Sequence, residues 1–289
     1  MPVGGFAKRQ PMYETTAFRW VRRIGLSVLT VIVGLPLYVV LTTSIRPLAD
    51  LQGSFSWLPR HLTLAPYRDM WTTIPLGRYL TNSLIIATSA TVLALLVGIP
   101  AGYALARSSG PRVFGIFLLA TQAVPGMLFL LPLFLLYAKL GQLTGIELIG
   151  RYPGLILTDL TFALPVTIWL LASHFAALPE DVEDNARLDG AGTVVMLLRV
   201  VMPIAAPGIA AAGIFAFLVA WSEVLFASIL TADQTQTLPV GLHGYATQTT
   251  VYWNQLTAAA VTSSIPALAA VLLLRRLRWR QTLGAQGER

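Results

Sequence analysis

Residues 178–207 read LPEDVEDNARLDGAGTVVMLLRVVMPIAAP, a polar stretch between long apolar runs. The stretch is acidic in a chain whose formal net charge is +7. Its carboxylates are concentrated near the start, as Glu180, Asp181, Glu183, Asp184 and Asp189. Because the flanking runs are apolar enough to lie in lipid, a short charged element between them indicates a surface that meets an aqueous partner.

The local pattern predicts a short helix over 180–188. Pro179 suits a first helical position, where its missing N–H costs nothing, and the acids that follow are favoured by the helix dipole. Glu183 and Arg187 are spaced for an ion pair worth about 0.2–0.5 kcal/mol. Gly190 can adopt the left-handed backbone that ends a helix.

A second, apolar segment is predicted from Thr193 to Val201, ending before Pro203. At helical spacing, Leu178, Val182 and Ala186 would line one face. The pattern therefore favours a helix–turn–helix element. Composition alone leaves an ordinary solvated loop as the alternative.

The whole chain has the composition of a membrane protein. Of its 289 residues, 55% are hydrophobic and 11% are charged, whereas a soluble domain carries roughly 25% charged residues. We expect an all-α polytopic membrane protein. Cysteine is absent, which excludes disulfides and thiolate metal sites.

Six apolar runs have the ~20 residues that a helix needs to cross a bilayer. They lie at about 25–43, 82–106, 113–137, 153–177, 208–230 and 257–275. The chain accordingly divides into an N-terminal tail (1–23), a first span with an outer loop (24–77), a five-helix core (78–276) that contains the 178–207 loop, and a C-terminal tail (277–289).

The distribution of Lys and Arg predicts the orientation. Most of them lie in the two tails, in the 107–112 loop and in the 178–207 loop. Basic residues favour the cytoplasmic side, so we expect both termini and the acidic stretch to be cytoplasmic. The C-terminal Arg cluster could indicate nucleic-acid binding, but a basic collar beside a span is usually a topology anchor, and we expect no nucleic acid.

Within the spans, Gly98 and Gly102 have a small-xxx-small spacing that lets helix backbones approach closely. Prolines recur in the spans and are tolerated there when neighbouring groups satisfy the freed carbonyls. They are Pro36, Pro100, Pro125, Pro132, Pro165 and Pro266.

Four polar residues in the spans are candidates for a translocation pathway: Asp159, Glu223, Gln122 and Asn82. Intramembrane carboxylates are costly, and they face a bundle interior or water. The alternative for each is a structural role, as a hydrogen-bond partner of a neighbouring helix or as an interfacial group.

The outer loops carry aromatic residues. In the first, Trp57, Tyr67 and Trp71 suit interfacial anchors or a partner surface. The last, residues 231–256, is polar and lacks basic residues. Its candidates for contact with a sugar or a protein are Gly241, Tyr245, Tyr252 and Trp253.

No catalytic motif is present in the sequence. His61, His174 and His243 have no metal-binding spacing. A phosphate-binding G-x-x-x-x-G-K-[ST] loop is absent, as are HExxH and GxSxG. We therefore expect a non-enzymatic chain.

The 178–207 stretch resembles the EAA loop of bacterial ABC-importer permeases. Asp189-Gly190-Ala191 and Pro203 match that pattern, and the EAA triplet falls on Asp184-Asn185-Ala186. The wider chain is similar to the carbohydrate branch, such as the smaller maltose-transporter permease, in LTTSIRPLADL, YALAR and AWSEVLFASILTADQTQTLPVGL. Ser222 stands where that branch usually has Asn.

The resemblance implies the fold of a type I ABC importer (MetI-like) in the bacterial cytoplasmic membrane. It implies, as partners, a second permease, two cytoplasmic ATPases, an extracytoplasmic solute-binding protein and lipid. ATP and Mg²⁺ would be bound by the ATPases, with no cofactor on this chain. The helix at 180–188 would couple to an ATPase through Glu183, Asp184, Ala186, Arg187, Asp189, Gly190 and Ala191, and the 231–256 loop would face the binding protein.

Three other classes stay open. A secondary transporter would usually show a halves repeat and intramembrane charged pairs, and no clear repeat is visible. A membrane enzyme would need acids or histidines clustered at one membrane face. A permease for peptides or phosphate esters is the third, and the sequence does not identify the solute.

Overall fold

The computed structural model describes residues 16–53, 56–107, 112–179, 181–247 and 250–284. Most of the predicted N-terminal tail, the end of the C-terminal tail, most of the basic 107–112 loop and Glu180 lie outside these ranges. The described residues form helices and loops, with one isolated antiparallel bridge between Ala246 and Val251.

Thirteen α-helices are found in the described ranges. They are α1 (Thr16–Ser44), α2 (Leu48–Gln52), α3 (Ala65–Thr73), α4 (Leu76–Arg107), α5 (Arg112–Ala120), α6 (Leu130–Thr144), α7 (Tyr152–Ala176), α8 (Asp181–Leu188), α9 (Thr193–Met196), α10 (Met202–Trp221), α11 (Ala227–Leu230), α12 (Leu238–Gly241) and α13 (Trp253–Gly284).

Six helical stretches in the described part are long and apolar enough to cross a membrane. They are Phe18–Ser44, Leu76–Arg107, Gly126–Thr144, Tyr152–Ala176, Thr193–Trp221 and Trp253–Leu272. The predicted number of spans and the all-α class are confirmed. The predicted boundaries of the third and fifth spans are wrong.

The predicted third span, 113–137, is broken in the structure. Helix α5 ends at Ala120, and Val124 has an extended backbone before Pro125. A proline disfavours the helical conformation of the residue before it and has no N–H to donate. The crossing segment is therefore Gly126–Thr144.

The fifth span also lies earlier than predicted. The separate segment expected at 193–201 runs into the span through a π-helical turn at Leu197–Val201 and continues past Pro203. Pro203 closely follows this π-helical turn and does not end the helix. The helix ends at Trp221, so Glu223 lies in the turn beyond it.

Helices α4, α7 and α10 pack together as the centre of the bundle. The small residues of α4 make this possible: a Cβ on Gly102 would lie 2.8 Å from Cβ of Leu171, and one on Gly98 would lie 3.2 Å from Thr167. The predicted close approach at these glycines is confirmed. The first span, α1, packs mainly along α13 and is otherwise exposed.

Candidate functional site

The site is built around helix α8, which follows α7 after a short turn. We call residues 181–192 the acidic elbow. Gly190 has a φ of +85°, which is the left-handed conformation that glycine adopts most easily. Its N–H donates to the carbonyl of Arg187 at 3.0 Å, and the N–H of Ala191 donates to Ala186 at 3.0 Å. This pair of bonds is a Schellman motif, and the predicted helix end is confirmed.

One face of the elbow is apolar and packs on the bundle. Ala186 and Ala191 lie against a buried cluster that contains Phe175 of α7 and Val201 of the π-helical turn. Leu178 joins the same cluster. Hydrophobic contact thus attaches the elbow to the ends of two spans, α7 and the span that contains α10. Both ends are predicted to lie on the cytoplasmic side.

Glu183 makes the strongest polar attachment. Only 3% of the residue is exposed. Its Oε1 accepts hydrogen bonds from Nη2 of Arg107 at 2.6 Å and Nε at 2.8 Å, and its Oε2 accepts one from the Tyr103 hydroxyl at 2.8 Å. The predicted partner Arg187 is more distant, at 3.7 Å. Glu183 therefore faces its own chain, and its predicted part in ATPase coupling stays a prediction, in which it would attach α8 to α4.

The charge on Glu183 is stabilised by these donors. Burial alone would raise the pKa of the carboxyl, but the hydrogen bonds from Arg107 and Tyr103 and the charges of Arg107 and Arg187 outweigh it and lower the pKa. Because Arg107 is itself largely buried, the pair is a desolvated salt bridge. Removing one partner of such a pair leaves an uncompensated charge.

The opposite face of the elbow is exposed. Arg187 donates to Asp184 at 2.9 Å on this face. Leu188 is 86% exposed although it is apolar, and Asp189 is exposed beside it. This face of α8 therefore presents charged side chains and one exposed leucine, while the opposite face is bonded to the bundle.

Asn82 is a structural residue and not a free pathway group. It is buried, and its Nδ2 donates to the carbonyls of Gln234 at 2.9 Å and Gln236 at 2.8 Å. Its Oδ1 accepts from the Tyr152 hydroxyl at 2.8 Å. Since its hydrogen-bonding capacity is used in holding the last outer loop to α4 and α7, the pathway prediction for Asn82 is corrected.

Glu223 caps a helix. Its carboxylate accepts hydrogen bonds from the N–H groups of Phe226 at 2.7 Å and Ala227 at 2.8 Å, which satisfies donors at the start of α11. This agrees with the structural alternative for Glu223 and corrects its prediction as a residue within a span.

Asp159 is buried in α7, with 2% of the residue exposed. Neither carboxyl oxygen has a hydrogen-bond partner among the described residues. It does not line any of the cavities described below. Its predicted place in a translocation pathway stays a prediction.

Gln122 lies at the break between α5 and α6. It donates to the carbonyl of Phe162 at 3.2 Å and lines a cavity of about 270 Å³ with Thr121, Thr161 and Phe129. The ring of Phe162 stacks on Phe226 with centroids 4.9 Å apart. Gln122 therefore reaches a cavity, as a pathway residue would, and its pathway role stays a prediction.

Tyr245 and Gly241 of the last outer loop are predicted to contact a partner, but both are buried, so this prediction is wrong. Tyr245 is fully buried, and its hydroxyl donates to the carbonyl of Met70 at 2.7 Å; burial raises its pKa. Gly241 is buried against Tyr79, whose ring would collide with any added Cβ. Tyr252 is partly buried and Trp253 is exposed.

Sequence reasoning did not single out Tyr103 and Arg107. The two lie four residues apart at the end of α4, in YALAR, so both project from one face of the helix. The sequence signal that could have identified them is a hydroxyl and a basic residue, four residues apart on one helix face, in a chain that also has an acidic loop. No group of three or more His, Asp or Glu that could hold a metal is found in the described ranges.

Comparison with known proteins agrees with this architecture. A family model described as "Binding-protein-dependent transport system inner membrane component" matches residues 94–279, more than half of the chain. The diacetylchitobiose uptake system permease protein NgcG of Streptomyces coelicolor is 36% identical over 252 residues, which cover 86% of this chain and 82% of that protein.

A second relative is the sulfoquinovosyl glycerol transport system permease protein SmoH of Agrobacterium fabrum. It is 32% identical over 258 residues, covering 88% of each chain. Among solved structures, a bacterial ABC transporter that imports the acidic polysaccharide alginate matches with a TM-score of 0.75. At 21% identity it covers 92% of this chain and 99% of the matched one, which shows the fold.

The six spans, the acidic elbow closed by Gly190 and these matches lead to one assignment. The chain belongs to the family of binding-protein-dependent transport system inner membrane components, and it is a permease subunit of an ABC transporter.

Proposed function

We propose that this chain is a permease subunit of an ATP-driven sugar or oligosaccharide importer in the bacterial cytoplasmic membrane. A second permease completes the pathway, two cytoplasmic ATPases drive it, and an extracytoplasmic binding protein delivers the solute. Both termini and the acidic elbow face the cytoplasm. The carbohydrate names of NgcG and SmoH support the substrate class.

The observation that carries the proposal is the two-sided character of α8. Its buried side is bonded to α4 through Glu183 and packed on α7 and the π-helical turn through Ala186. Its other side presents Asp184, Arg187 and Leu188 to the surroundings. A helix that only closed a loop would need neither a desolvated ion pair nor an exposed leucine.

This arrangement makes the elbow a rigid connector. When ATP binding closes the ATPase dimer, the elbow is displaced, and three attachments transmit the displacement to α4, α7 and α10. ATP can shift the inward–outward equilibrium only by its differential affinity for the two states. The connector must therefore resist bending, and the Schellman motif at Gly190 serves that purpose.

On the pathway side, Gln122 and the hydroxyls of Thr121 and Thr161 suit a polar solute such as a sugar. The flanking ring of Phe129 gives an apolar wall of the kind that sugar rings pack against. Trp253 and Tyr252 remain the candidates in the last outer loop for contact with the binding protein.

Single cysteines can test the proposal directly because the chain has none of its own. We would introduce Asp184→Cys and Leu188→Cys, crosslink membranes of the native host, and identify the trapped partners by mass spectrometry. Leu143→Cys, on exposed α6, is the matched control. Uptake of labelled oligosaccharides would then be measured in proteoliposomes that contain the purified complex.

We expect both elbow cysteines, and not the control, to trap a nucleotide-binding subunit, and uptake to require ATP. Uptake driven by an ion gradient without ATP would support the secondary-transporter alternative. Labelling of the elbow from the outside of intact cells would overturn the orientation and the coupling role together.

A further inference from the structure

A cavity of about 410 Å³ lies between the end of α1 and the start of α13. Tyr38 and Thr42 line it from α1, and Trp253 and Thr257 line it from α13. Both helices are membrane spans, and the cavity lies where they leave the apolar region. It is therefore at the depth of the lipid head groups, on the side of the membrane opposite the acidic elbow.

Arg46 forms one wall of this cavity and is 7% exposed. Its Nη1 donates to the carbonyl of Ser56 at 2.8 Å and its Nη2 to Trp57 at 3.0 Å. A guanidinium has five N–H donors, and among the described residues its Nε has no acceptor. No described carboxylate forms an ion pair with it.

A buried cation without a counter-ion is costly. The carbonyl oxygens of Ser56 and Trp57 satisfy part of its hydrogen bonding but carry no full negative charge. An anionic group in the cavity would supply both the charge and the missing acceptor. A smaller adjoining cavity of about 110 Å³ shares Arg46 and adds Arg60, which increases the positive charge on this side.

Asp50 lies in the wall of both cavities. Its carboxylate contacts Nδ1 of His61, with Oδ2 at 3.1 Å and Oδ1 at 3.3 Å, and the Asp50 side chain is 21% exposed. The site therefore offers a cation and an anion on neighbouring parts of one wall. A ligand that is purely anionic would be repelled by Asp50, whereas one with a phosphate and an ammonium group matches both.

The other walls suit a lipid. Val39, Leu51, Trp57 and Tyr38 give an apolar and aromatic lining, and the exposed side of α1 continues from the cavity along the span. Tryptophan is favoured at the membrane–water interface because it has an apolar ring and a polar N–H. Acyl chains can follow α1 while the head group occupies the cavity.

We propose that this cavity binds the head group of a zwitterionic aminophospholipid of the phosphatidylethanolamine type. The phosphate lies against Arg46 and the ammonium against Asp50. The lipid fills the space between the peripheral helix α1 and the bundle. This assignment does not depend on the transported solute or on ATPase coupling.

Native mass spectrometry of the purified, assembled transporter would test it. The complex would be offered an equimolar mixture of phosphatidylethanolamine, phosphatidylcholine and phosphatidylglycerol, and the retained lipids counted. We expect phosphatidylethanolamine to be retained in preference, and Arg46→Gln to weaken that retention about tenfold, as for loss of a charged hydrogen bond. Arg68→Gln, at an exposed position away from the cavity, is the control and should bind as the wild type does.

Asp50→Asn keeps the test decisive if Arg46→Gln does not fold. It should remove the preference for phosphatidylethanolamine over phosphatidylglycerol while phosphate-dependent binding persists. Three results would overturn the proposal: unchanged lipid retention in both variants, a wild-type preference for phosphatidylglycerol, or displacement of the lipid by inorganic phosphate at equal concentration.

Discussion

Arg107 and Glu183 form an ion pair across 76 residues of sequence, with Nη2 and Oε1 2.6 Å apart. The pair joins the end of the second span to the helix of the acidic elbow. Both side chains are largely buried, so the attachment is shielded from water and salt, unlike a surface pair. Movement of the elbow is therefore expected to move α4 with it.

A double-mutant cycle tests this connection. Arg107→Met should lower the free energy of unfolding by about 3–5 kcal/mol, because it leaves the buried Glu183 without its main partner. The double variant Arg107→Met/Glu183→Met should recover most of that loss, since two apolar side chains leave no buried charge. Thermal unfolding in detergent would give the four stabilities.

The control for this cycle is Arg68→Met. The Arg68–Asp69 pair is exposed, so its loss should change stability by less than about 1 kcal/mol. Equal effects of the Arg107 and Arg68 substitutions would contradict a special role for the buried pair.

The lowered pKa of Glu183 predicts a pH dependence. A carboxyl whose pKa is depressed by folding contributes stability above its unfolded pKa, near 4.5, and loses that contribution as the pH falls through the folded value. The wild type should therefore exceed Glu183→Gln in melting temperature at pH 7. The difference should shrink only below about pH 4.5, because a protonated Glu183 resembles glutamine; a constant difference from pH 7 to pH 3.5 would argue against this account.

Gly190→Val should uncouple transport. Its φ of +85° is a conformation that costs a residue with a Cβ about 1–2 kcal/mol, so the end of α8 should distort while membrane insertion is unaffected. The measurement is solute uptake per ATP hydrolysed in proteoliposomes, which should fall.

The matched substitution is Gly192→Ala, two residues along. There the φ is −70° and an added Cβ meets nothing within 4 Å, so coupling should be unchanged. Normal uptake by cells that carry Gly190→Val would remove the basis for a rigid elbow.

Asn82→Leu should destabilise the protein without a change in solute affinity. The substitution leaves the carbonyls of Gln234 and Gln236 and the Tyr152 hydroxyl without their partner, at a cost of about 1–3 kcal/mol. We expect a lower melting temperature and an unchanged KM for uptake, with Gln142→Leu on exposed α6 as control. A raised KM at unchanged stability would restore Asn82 to the pathway.

The acidic elbow and the spans illustrate how far the sequence alone can be used. Helix α8 and its end at Gly190 were predicted correctly because both depend on residues within one or two turns. The number of spans followed from apolar length. By contrast, Pro125 interrupts the third span, whereas Pro203 is accommodated in the fifth by the preceding π-helical turn. Composition does not distinguish these two outcomes.

The roles of buried polar side chains depend on contacts between residues that are far apart in the sequence. The sequence spacing predicts an ion pair between Glu183 and Arg187, four residues away. In the structure, the shortest hydrogen bonds of Glu183 are with Arg107 and Tyr103. In the same way, Tyr245 was predicted to contact a partner because it is an aromatic residue in a polar outer loop. In the structure it is buried against α3, and its hydroxyl donates to the carbonyl of Met70.

The membrane class, the number of spans, the helical elbow and its glycine end all follow from the sequence, since each depends on hydrophobic length or on hydrogen bonds between near neighbours. The polar groups that are bonded to one another across the bundle become known from the packed structure. A buried charge takes its partner from whichever helix lies beside it, and helix packing depends on the shapes of all the side chains together.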